Sequence, residues 1–564
     1  MELTGAQILM KVLEEEQVDT IFGYPGGAVL DIYNELLNTK FKHILVRQEQ
    51  GAVHAADAYA RVCGKTGVCL VTSGPGATNT ITGIASAYLD SIPVVVFTGQ
   101  VPTPLIGNDA FQEVDIVGIS RPCTKHNYLV KDVEDLERTI KEAFYIAAAG
   151  RPGPVLIDIP KDVINARTAY KNISGIKMKS YNPNYAPNVK QLRKVIDLVK
   201  TAEKPLIFSG GGIISSGASA ELTAFAQKTG IPVTSTLMGL GAFPATDPLW
   251  LGMPGMHGTY RANMSLAECD LLIAVGVRFD DRVTGKTDEF ASNAQIVHID
   301  IDPTSIHKNV AVSIPVVGDC KAALGHLNKM VNEQKTIISD KVKENRNKWR
   351  ETIEQWKKTN PLAYDQKDKI KPQFVVEKLY EHTKGDAIIT TEVGQNQMWA
   401  AQYYHFTRPG QFATSGGLGV MGYGLPAAIG AQVASPGQTV IDIAGDGSIQ
   451  MNIQEMMTAV SHKLPVKVAI LNNGFLGMVR QWQELFYDKR YSYTNMTDAP
   501  DFVKLAQAYG AVGLRAEKPE EVDDVIKKAL ATDGPVIMDF VVEPEENVYP
   551  MVPAGSPITN MILV

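Results

Sequence analysis

The sequence predicts an α/β protein of three domains, each built on a doubly wound parallel sheet. Short apolar runs rich in β-branched residues recur along the chain, and each ends in a Gly- or Pro-rich turn. Helical stretches separate these runs, an alternation typical of parallel strands covered by helices on both faces. A chain of 564 residues is also longer than one hydrophobic core can organise, so several domains are expected. The clearest strand candidates are 68–76, 92–99, 153–160, 271–276, 296–302, 439–447 and 466–474.

Two polar segments interrupt this alternation and mark the predicted domain boundaries. Residues 165–190 contain no predicted strand, and residues 331–372 are charged and partly helical, as expected of solvated connectors. The apolar, Pro-rich end of the chain shows no clear period, and we expect it to pack over another surface. The predicted domains are 1–180, 190–340 and 370–545, followed by a tail at 546–564.

Composition excludes several functional classes. The formal charge of −7 argues against nucleic acid or an anionic membrane as the main partner, because both favour a basic protein surface. No apolar run is long enough to span a membrane, and the first residues predict a helix capped near Thr4 rather than a signal peptide. Five scattered cysteines without a CxxC pair favour a reducing compartment. We therefore expect a cytoplasmic protein that binds neither nucleic acid nor membrane.

Two strands of the predicted third domain end in residues suited to a diphosphate and a metal ion. Gly445-Asp446-Gly447-Ser448 follows the first strand, and Asn473 follows the next strand, 27 residues after Asp446. A β-α-β unit brings both strand ends to one edge of a parallel sheet, where such sheets bind ligands. Mg²⁺ prefers oxygen ligands that it shares with phosphate, and the backbone amides of Gly447 and Ser448 are anion donors. Each motif alone is also a common turn between strands.

Glu49 lies where a predicted strand meets a helix rich in alanine. Its surroundings are too apolar for a solvated carboxylate, so this side chain needs a partner. One interpretation is a carboxylate that caps the helix N-terminus. The other is a carboxyl group that hydrogen-bonds the aminopyrimidine ring of thiamine diphosphate and so promotes loss of the thiazolium proton.

Eight segments, taken in order, resemble the large subunits of the acetohydroxyacid synthase family of thiamine-diphosphate enzymes along nearly the whole chain. The resemblance implies pyrimidine-binding, central flavin-binding and diphosphate-binding domains. It also implies decarboxylating condensation of two pyruvate molecules, or of pyruvate with 2-ketobutyrate, to acetolactate or 2-aceto-2-hydroxybutyrate, the first common step of branched-chain amino-acid biosynthesis. The segments are 24–33, 47–61, 73–88, 107–130, 151–163, 276–285, 445–459 and 471–486.

The same resemblance implies roles around thiamine diphosphate. Glu49 is then the activating carboxylate, the metal ligands are Asp446, Asn473 and the main-chain carbonyl of Phe475, and Met478 supports the bent cofactor. Asn396 stands where the family pattern has His. The implied contacts of the cofactor are Gly26, Glu49, Val393, Gly394, Gln395, Asn396, Gly419, Met421, Gly445, Asp446, Gly447, Ser448, Asn473, Phe475, Gly477 and Met478.

FAD is implied for the central domain by Arg278-Phe279-Asp280-Asp281-Arg282, together with three glycines after a strand. Glycines there let the backbone approach a dinucleotide, and an acid at a later strand end can hold a hydroxyl group of the cofactor. The glycines alone are equally consistent with a loop. The reaction needs no net redox change, so the resemblance implies a structural flavin. Its implied contacts are Arg151, Gly210, Gly211, Gly212, Gly255, His257, Gly276, Arg278, Asp280, Arg282, Asp300, Ile301 and Asp319.

The resemblance also implies a pocket for 2-keto acid substrates. Arg282 binds the carboxylate of the second keto acid, since a guanidinium matches a carboxylate with two parallel hydrogen bonds. The alternative for Arg282 is a surface ion pair with Asp280 or Asp281. Trp482 shapes the room for the acceptor's alkyl group, and Phe111, Gln112 and Lys161 line the same pocket.

Glu49 and Asp446 fall in different predicted domains, yet one cofactor must touch both. We therefore expect a homodimer or homotetramer with shared active sites, and a small regulatory subunit is a further possible partner. A flavin-dependent pyruvate oxidase, or another thiamine-diphosphate carboligase or decarboxylase, is the alternative activity, and oxygen uptake with pyruvate distinguishes the oxidase. An inactive cofactor-binding scaffold is expected to lack Glu49 or the metal pair, which this sequence retains.

Overall fold

The computed structural model describes residues 1–334 and 338–563, and within them it contains three parallel sheets flanked by helices. The predicted α/β class is therefore confirmed. Residues 335–337 of the charged connector and Val564 of the tail lie outside the described residues. None of the helices within these ranges has the length and apolarity needed to cross a membrane.

The first sheet lies in the N-terminal third of the chain. Its strands and those of a small accompanying pair are β1 (Glu2–Thr4), β2 (Thr20–Tyr24), β3 (Lys42–Leu45), β4 (Gly67–Val71), β5 (Val94–Gln100), β6 (His126–Leu129), β7 (Val155–Pro160) and β8 (Arg167–Ala169). The helices are α1 (Gly5–Glu15), α2 (Leu30–Leu36), α3 (Glu49–Cys63), α4 (Pro75–Thr78), α5 (Ile81–Asp90), α6 (Ile116–Ser120), α7 (Val133–Ala148) and α8 (Lys161–Asn165). The order of the parallel sheet is β3-β2-β4-β5-β7-β6.

The central sheet has five strands in the described residues, in the order β10-β9-β11-β12-β13. They are β9 (Pro205–Ser209), β10 (Val233–Ser235), β11 (Leu271–Val275), β12 (Gln295–Asp300) and β13 (Ile314–Val317). The helices are α9 (Val189–Thr201), α10 (Gly211–Ser215), α11 (Ser219–Thr229), α12 (Tyr260–Glu268), α13 (Asp281–Thr284), α14 (Cys320–Asn332) and α15 (Asp340–Thr359).

The third sheet carries the predicted diphosphate site. Its strands are β14 (Ile388–Thr391), β15 (Phe412–Ala413), β16 (Val440–Gly445), β17 (Lys467–Asn472), β18 (Val512–Ala516) and β19 (Val536–Val541), in the order β15-β14-β16-β17-β19-β18. The helices are α16 (Pro372–Thr383), α17 (Gln395–Tyr403), α18 (Gly424–Ala434), α19 (Asp446–Ile449), α20 (Glu455–Ser461), α21 (Gly477–Phe486), α22 (Phe502–Tyr509) and α23 (Pro519–Leu530).

The predicted N-terminal helix is present, and Thr4 caps it: its hydroxyl accepts a hydrogen bond from the backbone N–H of Gln7. The prediction that 165–190 contains no strand was wrong, because β8 pairs antiparallel with β1. The helix expected after Asp446 is also interrupted, since α19 ends at Ile449 and α20 begins at Glu455. Between them, the side chain of Asn452 donates to the backbone carbonyl of Gly422.

The first and third sheets are joined by the packing of α3 against α18. Both helices are rich in small residues on their facing sides, and small residues let helix axes approach closely. Asp57 of α3 accepts hydrogen bonds from Tyr423 at 2.5 Å and from Arg61 at 2.6 Å. Arg61 also pairs with Asp90, which accepts the backbone N–H of Gly417. This buried polar cluster fixes the orientation of α3, whose first residue is Glu49.

Candidate functional site

Asp446 and Asn473 lie on neighbouring strands at the same edge of the third sheet. β16 and β17 run parallel, with Gly445 opposite Leu471 in their register. Asp446 follows β16 directly and Asn473 follows β17 directly. The structure therefore brings together the two side chains that the sequence predicts as metal ligands.

The carboxylate of Asp446 is buried without a well-formed hydrogen bond. The residue is 1% exposed, and neither of its oxygens has a hydrogen-bond partner among the described residues. Burial raises the pKa of Asp446 to about 7, and the nearby backbone N–H groups of Asn473 and Gly474 oppose this only in part. A buried carboxylate of this kind needs a cation or a proton.

The side-chain amide of Asn473 has a defined orientation. Its Nδ2 donates to Oε1 of Gln395 at 3.2 Å, and its Oδ1 accepts from the backbone N–H of Phe475 at 3.0 Å. An amide oxygen has two lone pairs, so Oδ1 keeps the capacity for a second partner. Gln395 thus holds Asn473 with its oxygen available as a metal ligand.

Glycines leave room around these side chains. A β-carbon at Gly477 would lie 2.1 Å from Oε1 of Gln395, and one at Gly447 would lie 2.7 Å from Leu476. Gly394 has a φ of +150° and precedes α17. The backbone can therefore approach a ligand at the positions where the sequence predicts diphosphate contacts.

Asn396, the departure from the family pattern, is buried and bonded within the protein. Its Nδ2 donates to the backbone carbonyls of Glu392 at 3.1 Å and Ile443 at 2.8 Å. The side chain therefore ties the end of β14 to β16. Its Oδ1 lies on the side of Gly394 and Gly445, where an added β-carbon would be 3.0 and 3.4 Å away. Ser448, the last residue of the GDGS motif, donates its hydroxyl to the carbonyl of Gly445.

The residues present fit a magnesium diphosphate. In the described ranges, no group of three or more His, Cys, Asp or Glu side chains is placed to hold a metal ion. A metal at Asp446 would take one carboxylate, one amide oxygen and main-chain or phosphate oxygens, which is the ligand set that Mg²⁺ accepts.

A cavity of about 1480 Å³ opens where the domains of the first, central and third sheets meet. Trp482 and Met478 of α21 line it from one side, and the loops of the central sheet line it from the other. Fifteen of the predicted site residues line this cavity: Arg151, Gly211, Gly212, His257, Gly276, Arg278, Asp280, Arg282, Asp300, Ile301, Val393, Gly394, Gly419, Met478 and Trp482. Met421 lies two residues beyond Gly419 in the same loop.

Three predicted flavin contacts lie outside the lining of this cavity, and each has a structural role within the central domain. A β-carbon at Gly210 would lie 2.2 Å from the carbonyl of Gly276, so this glycine lets two loops pack together. Gly255 has a φ of +104° and lies against the backbone of Arg282. Asp319 caps α14 and accepts the backbone N–H of Ala322 at 2.9 Å.

The cavity contains charges of both signs where a dinucleotide is predicted. Asp300 ends β12 and is buried, and it accepts the backbone N–H of Asp302. Arg151 pairs with Asp302 at 3.2 Å and donates to Ser91. Burial lowers the pKa of His257 to about 4, so this residue presents a neutral imidazole. The combination of carboxylate, guanidinium and glycine suits hydroxyl and phosphate groups.

Arg282 lines the cavity and also makes a long, exposed ion pair with Asp281, so both interpretations of this residue remain compatible with the structure. Its Nη1 lies 3.6 Å from the sulfur of Met256, and its Nε is 3.8 Å from the carboxylate of Asp281, which is a weak contact. Asp280 instead caps α13 through the backbone N–H of Arg282, and burial raises the pKa of Asp280. The guanidinium therefore keeps donors free for an anionic ligand.

Glu49 is the first residue of α3, but it is not the cap of that helix. The cap is Gln48, whose side chain accepts the backbone N–H groups of Gln50 and Gly51. Glu49 instead accepts a hydrogen bond from Asn79 at 2.9 Å. The interpretation of Glu49 as a capping carboxylate is therefore wrong.

Two glycines pack closely beside Glu49. A β-carbon at Gly76 would lie 3.4 Å from Oε1 of Glu49, and one at Gly26 would lie 2.5 Å from Thr72. The buried hydroxyl of Thr72 has no hydrogen-bond partner among the described residues. The glycines thus let the backbone approach one carboxylate and one unused hydroxyl. The sequence analysis missed Thr72, although its place directly after β4 could have indicated it.

The remaining predicted substrate residues also belong to the first domain. Phe111 is 87% exposed. Gln112 has a φ of +59°, a left-handed conformation that is strained for a residue other than glycine. Lys161 donates to the backbone carbonyl of Gly27. These three residues, Glu49 and the metal-site residues Asp446 and Asn473 are all absent from the lining of the large cavity.

Two further residues near the site were missed by the sequence analysis. Arg480 and Gln481 lie on α21 between Met478 and Trp482, and both are fully buried. Nothing in the residue pattern indicates burial of an arginine here, because the contacts come from the distant C-terminal segment.

Each of the three domains of the chain is similar to known proteins. Three family profiles match: "Thiamine pyrophosphate enzyme, N-terminal TPP binding domain" over residues 3–119, the central domain over residues 192–327, and the C-terminal TPP binding domain over residues 392–540. These matches support binding of thiamine diphosphate (thiamine pyrophosphate) by the domains of the first and third sheets.

Individual relatives are similar over almost their entire length. The acetolactate synthase large subunit of Haemophilus influenzae is 49% identical over 567 residues, which cover 100% of this chain and 98% of the relative. The acetolactate synthase isozyme 3 large subunit of Escherichia coli is 49% identical over 569 residues, with the same coverage. The acetolactate synthase of Mycobacterium bovis is 50% identical over 563 residues, covering 98% of this chain and 90% of the relative. The chain therefore belongs to the acetolactate synthase large-subunit family of thiamine-diphosphate-dependent enzymes.

Proposed function

We propose that this protein catalyses acetolactate formation, the decarboxylating condensation of two pyruvate molecules or of pyruvate with 2-ketobutyrate. The observation that carries this proposal is the buried, unpartnered carboxylate of Asp446 beside Asn473, in a chain similar to acetolactate synthases along its full length. The reaction is the first common step in making valine and isoleucine. We place it in the cytoplasm.

Asp446, Asn473 and the carbonyl of Phe475 would hold Mg²⁺ and, through it, the diphosphate of thiamine diphosphate. Bound thiamine diphosphate supplies a carbon nucleophile that adds to a 2-keto acid and accepts the electrons left by decarboxylation. The glycines at 394, 445, 447 and 477 keep side chains away from the diphosphate, with Val393, Gln395, Gly419 and Ser448 alongside. Met478, an unbranched thioether at the cavity wall, would support the two rings.

Glu49 would exchange a proton with the aminopyrimidine ring. Among the described residues its side chain has a single side-chain hydrogen bond, which Asn79 donates to Oε2, so Oε1 can donate or accept a proton. The unpartnered hydroxyl of Thr72, in the part of the chain that the structure describes, lies close to Gly26 and Gly76 beside this carboxylate and supports placing a polar ligand there. General acid–base contributions of this kind account for about 10²–10⁴-fold in rate.

Arg282 would bind the carboxylate of the second keto acid through its free donors. Trp482 limits the room for the alkyl group of that acceptor, and the two residues line the same cavity. Phe111, Gln112 and Lys161 would complete the pocket from a second chain, and the 87% exposure of Phe111 supports this placement.

FAD would occupy the part of the cavity lined by Arg151, Arg278, Asp300 and Ile301. The proposed reaction forms one carbon–carbon bond and releases CO₂ without leftover electrons, so the flavin would hold the surrounding loops rather than transfer electrons. Reconstitution with 5-deaza-FAD tests this. Acetolactate formation close to that with FAD is expected, and loss of activity at full occupancy would indicate a redox role.

We propose a homodimer or a homotetramer in which two chains build each active site. Glu49 and Asp446 are both needed by one cofactor, yet Glu49 begins α3 beside the first sheet and Asp446 follows β16 of the third sheet. Two relatives are named as large subunits, and we propose a small regulatory subunit for this chain as well.

An anaerobic assay tests the activity. The purified chain is incubated with pyruvate, thiamine diphosphate, Mg²⁺ and FAD, and acetolactate and CO₂ are quantified. We expect one acetolactate and one CO₂ for every two pyruvate molecules. Consumption of oxygen in air, with no acetolactate under anaerobic conditions, would support a pyruvate oxidase instead.

A further inference from the structure

Arg480 is an arginine that is 0% exposed, although it lies on α21, the helix that borders the large cavity. Arginine is almost never fully buried unless it is paired. The cost of burying a guanidinium implies that the protein uses its donors for a specific contact.

The donors of Arg480 join α21 to the C-terminal segment. Nη1 pairs with the carboxylate of Glu484 at 2.7 Å, one turn later on the same helix. Nη2 donates to Oδ1 of Asn547 at 2.5 Å and to the backbone carbonyl of Glu546 at 3.2 Å. Asn547 in turn donates to Glu484 at 3.0 Å. Arg480, Glu484 and Asn547 thus form a closed triangle of hydrogen bonds.

Gln481 makes a second connection to the same segment. Its Oε1 accepts the backbone N–H of Val548 at 2.9 Å, and its Nε2 donates to the carbonyl of Val548 at 3.0 Å. The same Oε1 accepts from Gln395 at 2.9 Å, and Gln395 holds the amide of Asn473. The C-terminal segment therefore contacts the helix directly and is linked to Asn473 through Gln395.

These contacts determine which way α21 faces. Successive residues on an α-helix point about 100° apart. With Arg480 and Gln481 bonded to residues 546–548 on the buried side, Met478 and Trp482 face the cavity and Val479 is exposed. Release of Arg480 would let the helix rotate or shift, and the side chain of Trp482 would move with it.

We propose that Arg480 is a positioning residue that clamps α21 to residues 546–548 and so sets the position of Trp482 in the acceptor pocket. The part that concerns the acceptor rests on the proposed function. Lysine cannot replace the clamp, because a single ammonium group lacks the planar fork that reaches Glu484 and Asn547 together.

Hydrogen–deuterium exchange tests the clamp without any substrate. The holoenzyme of Arg480→Lys is compared with the wild type and with Arg346→Lys. Arg346 is also a buried arginine, 3% exposed, and donates to the carbonyls of Ala202 and Thr229, away from the cavity. We expect faster exchange at 477–486 and 546–552 in Arg480→Lys alone. Unchanged exchange in both segments would overturn the clamp.

Competition between pyruvate and 2-ketobutyrate as acceptors tests the effect on Trp482. We expect the product ratio to change by about fivefold or more in Arg480→Lys, since one alkyl contact in a formed pocket discriminates by roughly 10–200-fold. Arg480→Lys should bind thiamine diphosphate as tightly as the wild type does. The product ratio of Arg346→Lys should stay at the wild-type value. An unchanged ratio despite faster exchange would overturn the positioning of Trp482.

Asn547→Ala provides a second variant if Arg480→Lys does not fold. It removes the partner of Nη2 and should change exchange and product ratio in the same direction, and no change in either would count against the proposal. If the wild-type protein forms no acetolactate, the proposed function fails, while the exchange measurements still decide whether Arg480 clamps the helix.

Discussion

Gly430 of α18 lies so close to Ala55 of α3 that a β-carbon at position 430 would be 1.9 Å from the backbone carbonyl oxygen of Ala55. A methyl side chain at position 430, as in alanine, fits at this contact only if the backbones of α3 and α18 move apart. Because α3 flanks the first sheet and α18 flanks the third, this contact determines how the two domains pack.

Gly430→Ala should therefore destabilise the protein. Overpacking in a close-packed interior costs about 1–3 kcal/mol, which outweighs the higher helix propensity of alanine. Thermal unfolding measures the effect. Gly325→Ala is the matched control, because Gly325 lies in α14 with open space around its β-carbon, and a gain of about 0.5–1 kcal/mol is expected there. A Gly430→Ala protein as stable as the wild type would contradict the close contact.

Binding of Mg²⁺ and thiamine diphosphate should weaken as the pH falls below 7. Burial raises the pKa of Asp446 to about 7 in the metal-free protein, and only the ionised carboxylate binds the metal. Protons therefore compete with Mg²⁺, and the apparent affinity should fall by about tenfold per pH unit below 7. Titration calorimetry between pH 5.5 and 8 measures this.

Asp446→Asn distinguishes protonation of Asp446 from protonation of the cofactor as the cause of weaker binding at low pH. The variant should bind Mg²⁺ and thiamine diphosphate more weakly at every pH, with the part of the pH dependence due to Asp446 removed. Identical pH profiles in the two proteins would show that Asp446 does not titrate in this range.

The fold and the meeting of Asp446 with Asn473 at one sheet edge could be predicted because their signals are local. Continuous apolar runs end at Gly445 and Asn472, and the polar residues that follow are placed by the parallel topology. The break between α19 and α20 could not be predicted, because Asn452 donates to a carbonyl of a loop 30 residues earlier. The pairing of β1 with β8 was also missed, since each strand has three residues and shows no period.

Glu49→Gln should lower acetolactate formation by about 10²–10⁴-fold while the protein still binds thiamine diphosphate. Glutamine has nearly the shape of glutamate but cannot pass a proton to the pyrimidine ring. Steady-state turnover and cofactor affinity are measured together. Glu134→Gln, an exposed change in the first turn of α7, serves as the control and should keep full activity. Turnover near the wild-type rate in Glu49→Gln would remove Glu49 from the mechanism.

Trp482→Leu should reduce the preference for 2-ketobutyrate over pyruvate as acceptor. The indole lies at the cavity wall, and a contact with one extra methylene is worth roughly 1–3 kcal/mol in a formed pocket. Competition between the two acceptors gives the product ratio directly. A ratio equal to that of the wild type would place Trp482 outside the acceptor pocket.

The placement of Glu49 and Asp446 beside different sheets could be expected from the sequence, since the two residues lie in different predicted domains. The close packing of Gly26 and Gly76 against Thr72 near Glu49 could not, because these residues come together only through the first sheet. In the same way, the burial of Arg480 depends on Asn547, which is 67 residues away.

We expect Glu49 of one chain and Asp446 of another to build one active site, and mixed dimers test this arrangement. Glu49→Gln and Asp446→Asn chains carrying different affinity tags are co-expressed, and the hybrid dimer is isolated. With shared sites, one site receives both changes and the other receives neither, so the hybrid should regain about half of the wild-type activity. Activity of the hybrid no higher than that of the two parent variants would contradict the account.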